Sequence, residues 1–165
     1  MNETIRIIKS RRSIRSYEDI KIPHNVLKEL ADCGRLAPTA KNIQPWEFII
    51  ITEKDMLEKI GSTAEFGTFT KNAAACIAVC SKDCTHFLED SCAATENILI
   101  AAESMKIGAC WVAGHGKKYS KEIKKLLKIP DNIRFVSLIV LGYPKDSPPK
   151  ITKRKPDDVL HWQVF

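Results

Sequence analysis

Five consecutive residues, Arg11-Arg12-Ser13-Ile14-Arg15, bring three guanidinium groups and a hydroxyl into one short stretch. Guanidinium forks pair bidentately with phosphate, and a serine hydroxyl or a neighbouring backbone N–H completes such a cage at ~1.5–3 kcal/mol per charged hydrogen bond. The chemistry open to this stretch is anion binding, and the plain alternative is a solvated basic turn. A second stretch, Thr39-Ala40-Lys41-Asn42-Ile43-Gln44-Pro45, follows Pro38 directly. It is short, rich in small and amide side chains and closed by a proline at each end. Loops of this kind on a rigid frame are frequent ligand sites.

The thiols and imidazoles offer less. Six cysteines with no export signal read as reduced thiols rather than a disulfide framework. Cys76, Cys80 and Cys84 fall four apart, an offset that shares one side of a helix or a strand, but none are spaced as C-x-x-C. They are read as small core residues rather than metal ligands. His24, His86, His115 and His161 are widely spaced and make no metal spacing, so they are read as surface or tail residues. His115, between Gly114 and Gly116, is the one placed to overhang a site.

The elements that must position these groups follow from periodicity. Glu3 to Lys9 reads as a helix ending at the cationic stretch, and Ser16 to Ile22 as extended chain. Pro23 suits a first helical turn, with Val26, Leu27, Leu30, Ala31 and Leu36 at helical spacing over His24 to Leu36. Trp46 to Ile51, Ala73 to Ser81, Ala109 to Val112 and Phe135 to Leu141 read as strands. Thr52 opens a short helix to about Ile60, with Gly61 to Asn72 as loop. The longest helix is expected from Thr85 to Met105, stopped by Gly108, with Ala93, Ala94, Asn97, Ala101, Ala102 and Ser104 as a small-residue face. Lys121 to Leu127, preceded by Tyr119-Ser120, gives one more amphipathic helix. The tail from Lys145 carries Pro148, Pro149 and Pro156, a basic patch at Lys150 to Lys155 and apolar anchors in Trp162 and Phe165. It is expected to dock on the body or on a partner.

At 165 residues the chain has the length of one domain, residues 1–165, and 44% hydrophobic with 28% charged residues marks an ordered globular protein. The order of elements predicts an α+β domain with helices around one sheet. The net charge of +6 is scattered, without the clustered Lys/Arg and interleaved aromatics of a nucleic-acid-binding module. Apolar runs are too short to span a bilayer, so a cytoplasmic protein without membrane contact is expected. Neither G-x-G-x-x-G nor G-x-x-x-x-G-K-[ST] occurs.

Four separated stretches resemble one family, the FMN-dependent nitroreductases. Arg11 to Arg15 is similar to its R-R-S-x-R opening, and Ala37 to Phe48 to its A-P-S-x-x-N-x-Q-P-W-x-F segment. Lys106 to Trp111 resembles its G-x-x-x-C-W turn, and Leu126 to Pro130 through Leu141 to Pro144 its L-L-x-I-P and L-G-Y-P close. The resemblance implies a nitroreductase-like fold with a mainly antiparallel sheet, built as an intertwined homodimer with FMN at the interface. It implies that Arg11, Arg12, Ser13 and Arg15, with Arg154 and Lys153 from the tail, hold the phosphate and the polar edge of the ring. Pro38, Thr39, Ala40, Asn42 and Gln44 would come from the other subunit, and Gly108 and Ala109 would lie beside the ring. The implied reaction is ping-pong: hydride passes from NAD(P)H to N5 of FMN and on to an electron-poor acceptor such as a nitroaromatic or quinone. No side chain is required as acid or base, so no catalytic residue is named. Reductive dehalogenation, ene-type reduction and flavin handling keep the same motifs and remain the alternatives.

Three departures from the pattern stand out. Segments 61–72 and 114–120 leave little room for the inserted helices that cover the flavin in longer members. Ala40 stands where a hydroxyl residue is common, and the Gly108 turn carries no carboxylate. Phe66 and Phe69 are candidates for a lid over the ring.

Overall fold

The computed structural model describes residues 2–148 and 150–165, so Pro149 of the proline-rich tail lies outside the described residues. Its sheet is made from the four apolar runs: β1 (Trp46–Ile51), β2 (Ala75–Lys82), β3 (Gly108–Ala113) and β4 (Ile133–Gly142). They lie in the order β1-β2-β4-β3, antiparallel throughout. The two central strands are covered on both sides: every residue of β2 before Lys82 is buried, as is β4 from Phe135 onward.

Two layers of helix account for that burial. On one face α2 (His24–Arg35) and α4 (Phe87–Ser104) cover Ala75, Ile77, Val79, Ala109, Ile139 and Leu141 with Leu27, Leu30, Ile98 and Ala102. On the other, α3 (Lys54–Thr63) and α5 (Ser120–Leu126) bring Leu57, Ile60 and Ile123 onto Cys76, Ala78, Cys80, Leu138 and Val140. The period-2 alternation of the strands divides the two sets. One irregularity resets it. Between Val79↔Ser137 and Cys80↔Phe135 the register skips Val136, a bulge that returns Phe135 to the α3/α5 face. The displaced Val136 carbonyl accepts the N–H groups of both Gly114 and His115, each at 2.9 Å, and so fixes the exit from β3.

The expected helices and strands are present, with three changes at their ends. α3 runs through Gly61 to Thr63 rather than ending near Ile60. Gly61 is a packing glycine: a Cβ there would lie 2.9 Å from the Lys71 nitrogen, so its absence lets the 3-10 turn Thr68–Asn72 dock. That turn replaces the second half of the expected loop. The third change is at the end of α4, where Lys106, at φ +58°, takes the left-handed position. Ile107 N–H then bonds Ala102 O at 2.9 Å and Lys106 N–H bonds Glu103 O at 3.0 Å, a Schellman closure. Gly108, expected to stop this helix, is already in β3.

α1 (Glu3–Ser10) has no buried residue. It is tied to α4 by Ser10 Oγ, which donates to Glu103 Oε1 at 2.6 Å. Among the described residues no helix is long and apolar enough to cross a membrane.

Candidate functional site

The chain leaves α1 at Arg11 and immediately meets the edge strand. Ser13 forms a parallel bridge with Ala109, Ile14 N–H donates to Ala109 O at 3.0 Å, and Tyr17 pairs with Pro144. Ile14 and Tyr17 are buried, so the alternate residues Ser13, Arg15 and Ser16 are turned away from the core. Two glycines make this approach possible. A Cβ at Gly108 would lie 2.8 Å from Ile14 Cγ2, and one at Gly142 would lie 2.7 Å from the Tyr17 ring. Both distances are shorter than side chains tolerate, so the cationic segment can only reach the sheet across bare backbone.

Each cation is then held differently. Arg11 Nε lies 3.3 Å from Glu96 on α4. Arg12 folds back and donates to the carbonyls of Lys9, Ser10 and Arg11 at 2.8, 3.1 and 2.7 Å, closing the end of α1. Arg15 has no ion pair among the described residues, and its guanidinium lies 5.8 Å from the centroid of Phe69. Lys9, Arg11, Arg12 and Lys153 join Ser13, Ile8 and Ile151 around a cleft of about 280 Å³ whose lining holds no carboxylate. A second cleft of about 270 Å³ runs on along Ser13, Arg15 and Ser16 to Asp146 and Ser147. The Cys110 thiol lies under this segment. Burial pushes it up from its ordinary value, while Arg15, Ser13 and Arg11 pull in the opposite direction.

Six residues on, the strand exits into the 114–117 turn, about 20 Å from its start at 3.3 Å per residue. The turn after α3 runs alongside it. Gly67 sits against Val112, where a Cβ would lie 3.2 Å from Cγ1. Phe69 packs half-buried at the Arg15 end, and exposed Phe66 lies 5.8 Å beneath the Lys117 ammonium at the other. His115 meets the Phe87 ring edge-on, with centroids 5.3 Å apart. The edge strand thus carries a cationic cleft at one end and an aromatic and basic turn at the other.

The second predicted segment lies elsewhere. Thr39 Oγ1 donates to Asp90 Oδ2 at 2.6 Å, the Ala40 N–H lies 3.4 Å from Asp90 Oδ1, and Gln44 N–H bonds Thr39 Oγ1 at 3.1 Å. Gln44 Nε2 reaches Asn42 Oδ1 at 3.1 Å. Lys41, Asn42 and Gln44 all sit at positive φ, an arrangement that costs about 1–2 kcal/mol per non-glycine residue. Asp90 is only 6% exposed and stands at the start of α4. Glu96, the partner of Arg11, is six residues further along, or about 9 Å of helix axis, and Glu103 about 20 Å.

The structure therefore brings Arg11, Arg12, Ser13, Arg15, Lys153, Gly108 and Ala109 together and keeps Pro38, Thr39, Ala40, Asn42 and Gln44 apart from them within one chain. Arg154 hydrogen-bonds the Asp158 carbonyl and does not line the cleft. Lys9, Ile151, Asp90 and Lys117 are members of these sites that periodicity did not single out. Only Asp90 left a trace, as an acidic residue in a first helical turn where the dipole favours it.

A four-stranded antiparallel sheet between two helical layers defines an α+β domain, and this one presents a basic cleft on one edge. The chain belongs to the Nitroreductase family, whose sequence profile matches residues 8–83 and 68–143. It is 39% identical over 153 residues to a protein of Archaeoglobus fulgidus provisionally named NADH dehydrogenase/NAD(P)H nitroreductase, covering 88% of each chain. A protein of the same provisional name from Methanothermobacter thermautotrophicus is 34% identical over 152 residues, covering 88% of this chain and 80% of the other. Among solved structures, a similarly named protein of Parabacteroides distasonis superposes at TM-score 0.94 with 31% identity over all of both chains. An FMN-dependent nitroreductase of Clostridium difficile superposes at 0.90 with 27% identity, covering 98% and 99%.

Proposed function

We propose that this chain is an FMN-dependent NAD(P)H oxidoreductase that reduces small electron-poor acceptors such as nitroaromatics or quinones. The observation that carries the reading is the cleft between the end of α1 and the tail, where four cations and a serine hydroxyl meet and no carboxylate lines the wall, Glu96 reaching only Arg11 from α4. A phosphate dianion is the partner that such a donor set fits. Arg11, Arg12, Ser13, Arg15 and Lys153 are the residues to hold that phosphate, with Arg154 next to them on the tail. Gly108 and Ala109 supply bare backbone at the start of β3, where a planar ring can approach closely.

When bound, FMN supplies the hydride chemistry, taking hydride from NAD(P)H and giving it to the acceptor. The chain's own contribution is positional and electrostatic. Arg15, in no ion pair among the described residues, gives positive charge at the edge of the site, which favours an electron-rich ligand. Gly67 packs against Val112 of β3 and Phe69 sits under Arg15, while Phe66 and Lys117 stand where an aromatic acceptor enters in this reading. No acid or base is required, and His115 is engaged with Phe87.

The site of a single chain is half a site. At about 280 Å³ the cleft lies just under the 300–1,000 Å³ of pockets that enclose whole ligands. A second copy completes it in this reading, bringing Pro38, Thr39, Ala40, Asn42 and Gln44. In support, Ile5 and Ile8 of α1 are exposed, and so are the tail's Leu160, Trp162, Val164 and Phe165, apolar side chains of the kind that homodimer contacts cover. Residues 150–165 are all exposed, which suits a tail that passes α1 at Ile151 and Lys153 and docks its far end on a partner subunit. A cytoplasmic setting suits an enzyme fed by NAD(P)H and carrying six free thiols.

The test is a visible spectrum of the purified protein followed by anaerobic addition of NADH or NADPH. Flavin bands that bleach, and return on addition of a nitroaromatic or a quinone, are the expected result. A colourless protein that takes up no added FMN overturns the reading. Turnover of a halogenated or an α,β-unsaturated substrate in preference to those acceptors would keep the cofactor and change the reaction.

A further inference from the structure

A wider cleft than the one discussed so far lies beside it. About 500 Å³ opens between the extended segment after Arg15, the start of α3 and the turn into β2. Arg15, Lys21, Lys54, Lys71 and Lys145 line it, against two carboxylates, Glu18 and Asp19. Among the described residues none of these seven charged groups is in an ion pair. Half of the chain's net charge of +6 is thus concentrated on one concave surface, an arrangement that focuses potential and draws anions.

Size and floor narrow the ligand. A free phosphate fills a small fraction of such a volume, which lies well within the range of clefts that take nucleotide-sized molecules. Between the charges the walls are mixed: Leu57, Ala73, Ala74 and the buried Tyr17, whose hydroxyl is already spent on the Ile14 carbonyl at 2.6 Å, give apolar surface, and Ser16, Thr52 and Asn72 give hydrogen-bonding groups. An occupant with a flat body, hydrogen-bonding edges and more than one phosphate satisfies both. Arg15 and Ser16 also line the neighbouring cleft at Ser13, so the two adjoin. With the FMN phosphate assigned to the first cleft, the dinucleotide is the reactant of an NAD(P)H oxidation that still has phosphates remote from its reacting ring.

We infer that this second cleft binds the adenosine end of the dinucleotide, and that Lys54 and Lys71, with Lys21 and Lys145, read the 2′-phosphate that distinguishes NADPH from NADH. The inference rests on the proposed function for its choice of ligand, but its test does not need flavin turnover. Purified protein is titrated calorimetrically with 2′,5′-ADP and separately with 5′-AMP, alongside Lys54→Ala/Lys71→Ala and Lys54→Glu/Lys71→Glu double variants. The expected result is binding of 2′,5′-ADP that weakens at least tenfold in the alanine pair and further in the glutamate pair, with 5′-AMP binding changed less than threefold. Both lysines are exposed, and a far-ultraviolet circular dichroism spectrum checks that the variants fold. In the flavin-loaded protein the same variants raise the KM for NADPH and spare FMN occupancy. Absent binding of 2′,5′-ADP, equal binding by wild type and variants, or displacement by inorganic phosphate at matching concentration each overturns the inference. Those results leave the proposed function standing if NADH and NADPH bleach the flavin equally. A protein that binds 2′,5′-ADP in this lysine-dependent way but no flavin supports the cleft and overturns the reading of the first site.

Discussion

The Arg11–Arg15 segment is fastened by its main chain, whereas the Thr39–Gln44 loop hangs from a side chain. Ile14 N–H bonds Ala109 O and the buried Tyr17 sits on Gly142, so the arginines extend from a backbone the sheet already fixes. The loop instead carries three left-handed non-glycine residues and leans on one carboxylate, Asp90, through Thr39. A segment fixed by its backbone leaves its side chains free for a ligand. A segment joined to its helix by one side chain, and otherwise closed by its own turns, has less stability to spare.

The comparison can be broken from the loop side first. Asp90→Ala removes a buried charged acceptor from the Thr39 hydroxyl and the Ala40 N–H, and a loss of ~2–3 kcal/mol in urea unfolding is expected. An unchanged midpoint would mean the loop is held by something else. From the fork side, Arg15→Ala should weaken FMN binding by ~10–100-fold, the equivalent of one or two charged hydrogen bonds, with little change in unfolding midpoint or in dimer content. Full flavin occupancy in that variant would sink the assignment of Arg15 to the cofactor.

Alkali probes the sheet beneath both segments. Burial pushes the Cys80 thiol up to about 12 and raises Cys76 as well, against 9.0 for a free thiol. The folded state therefore keeps protons that the unfolded chain loses, so this stability is complete below pH 9 and lost between about 9 and 12. Unfolding free energy should fall there by on the order of 1 kcal/mol per pH unit, less steeply in Cys80→Ala; a flat profile to pH 11 contradicts it. The smallest effect has the opposite sign. Lys41→Gly, at φ +53°, should stabilise the loop by ~0.5–1 kcal/mol in the same assay, because glycine takes that backbone without strain.

Much of this architecture is legible in the residues. The β-branched runs at β2 and β4 and the helical spacing of Leu27 and Leu30 need no tertiary knowledge, and the Arg11–Arg15 fork is conspicuous by composition. What is not legible depends on contacts distant in sequence. Gly108 reads as a helix stop, yet its lack of a side chain serves Ile14, 94 positions earlier, and Lys106 takes the left-handed turn instead. Asp90 looks like an ordinary first-turn acid until Thr39 is found against it. Lys9 and Ile151 join the fork only because the tail passes α1, and Lys117 acquires a role only once the turn after α3 brings Phe66 beneath it.

The exposure of α1 has a practical side. An eight-residue helix with nothing buried falls short of the ~12–15 residues that isolated helices need in water. Arg12 spends its donors on the last turn of that helix and Arg11 follows directly from it, so fraying there scatters the fork. If a second chain covers Ile5 and Ile8, cofactor retention becomes a property of concentration. Specific activity would then fall on dilution, and a dilute stock would turn pale on a desalting column while a concentrated one stays yellow.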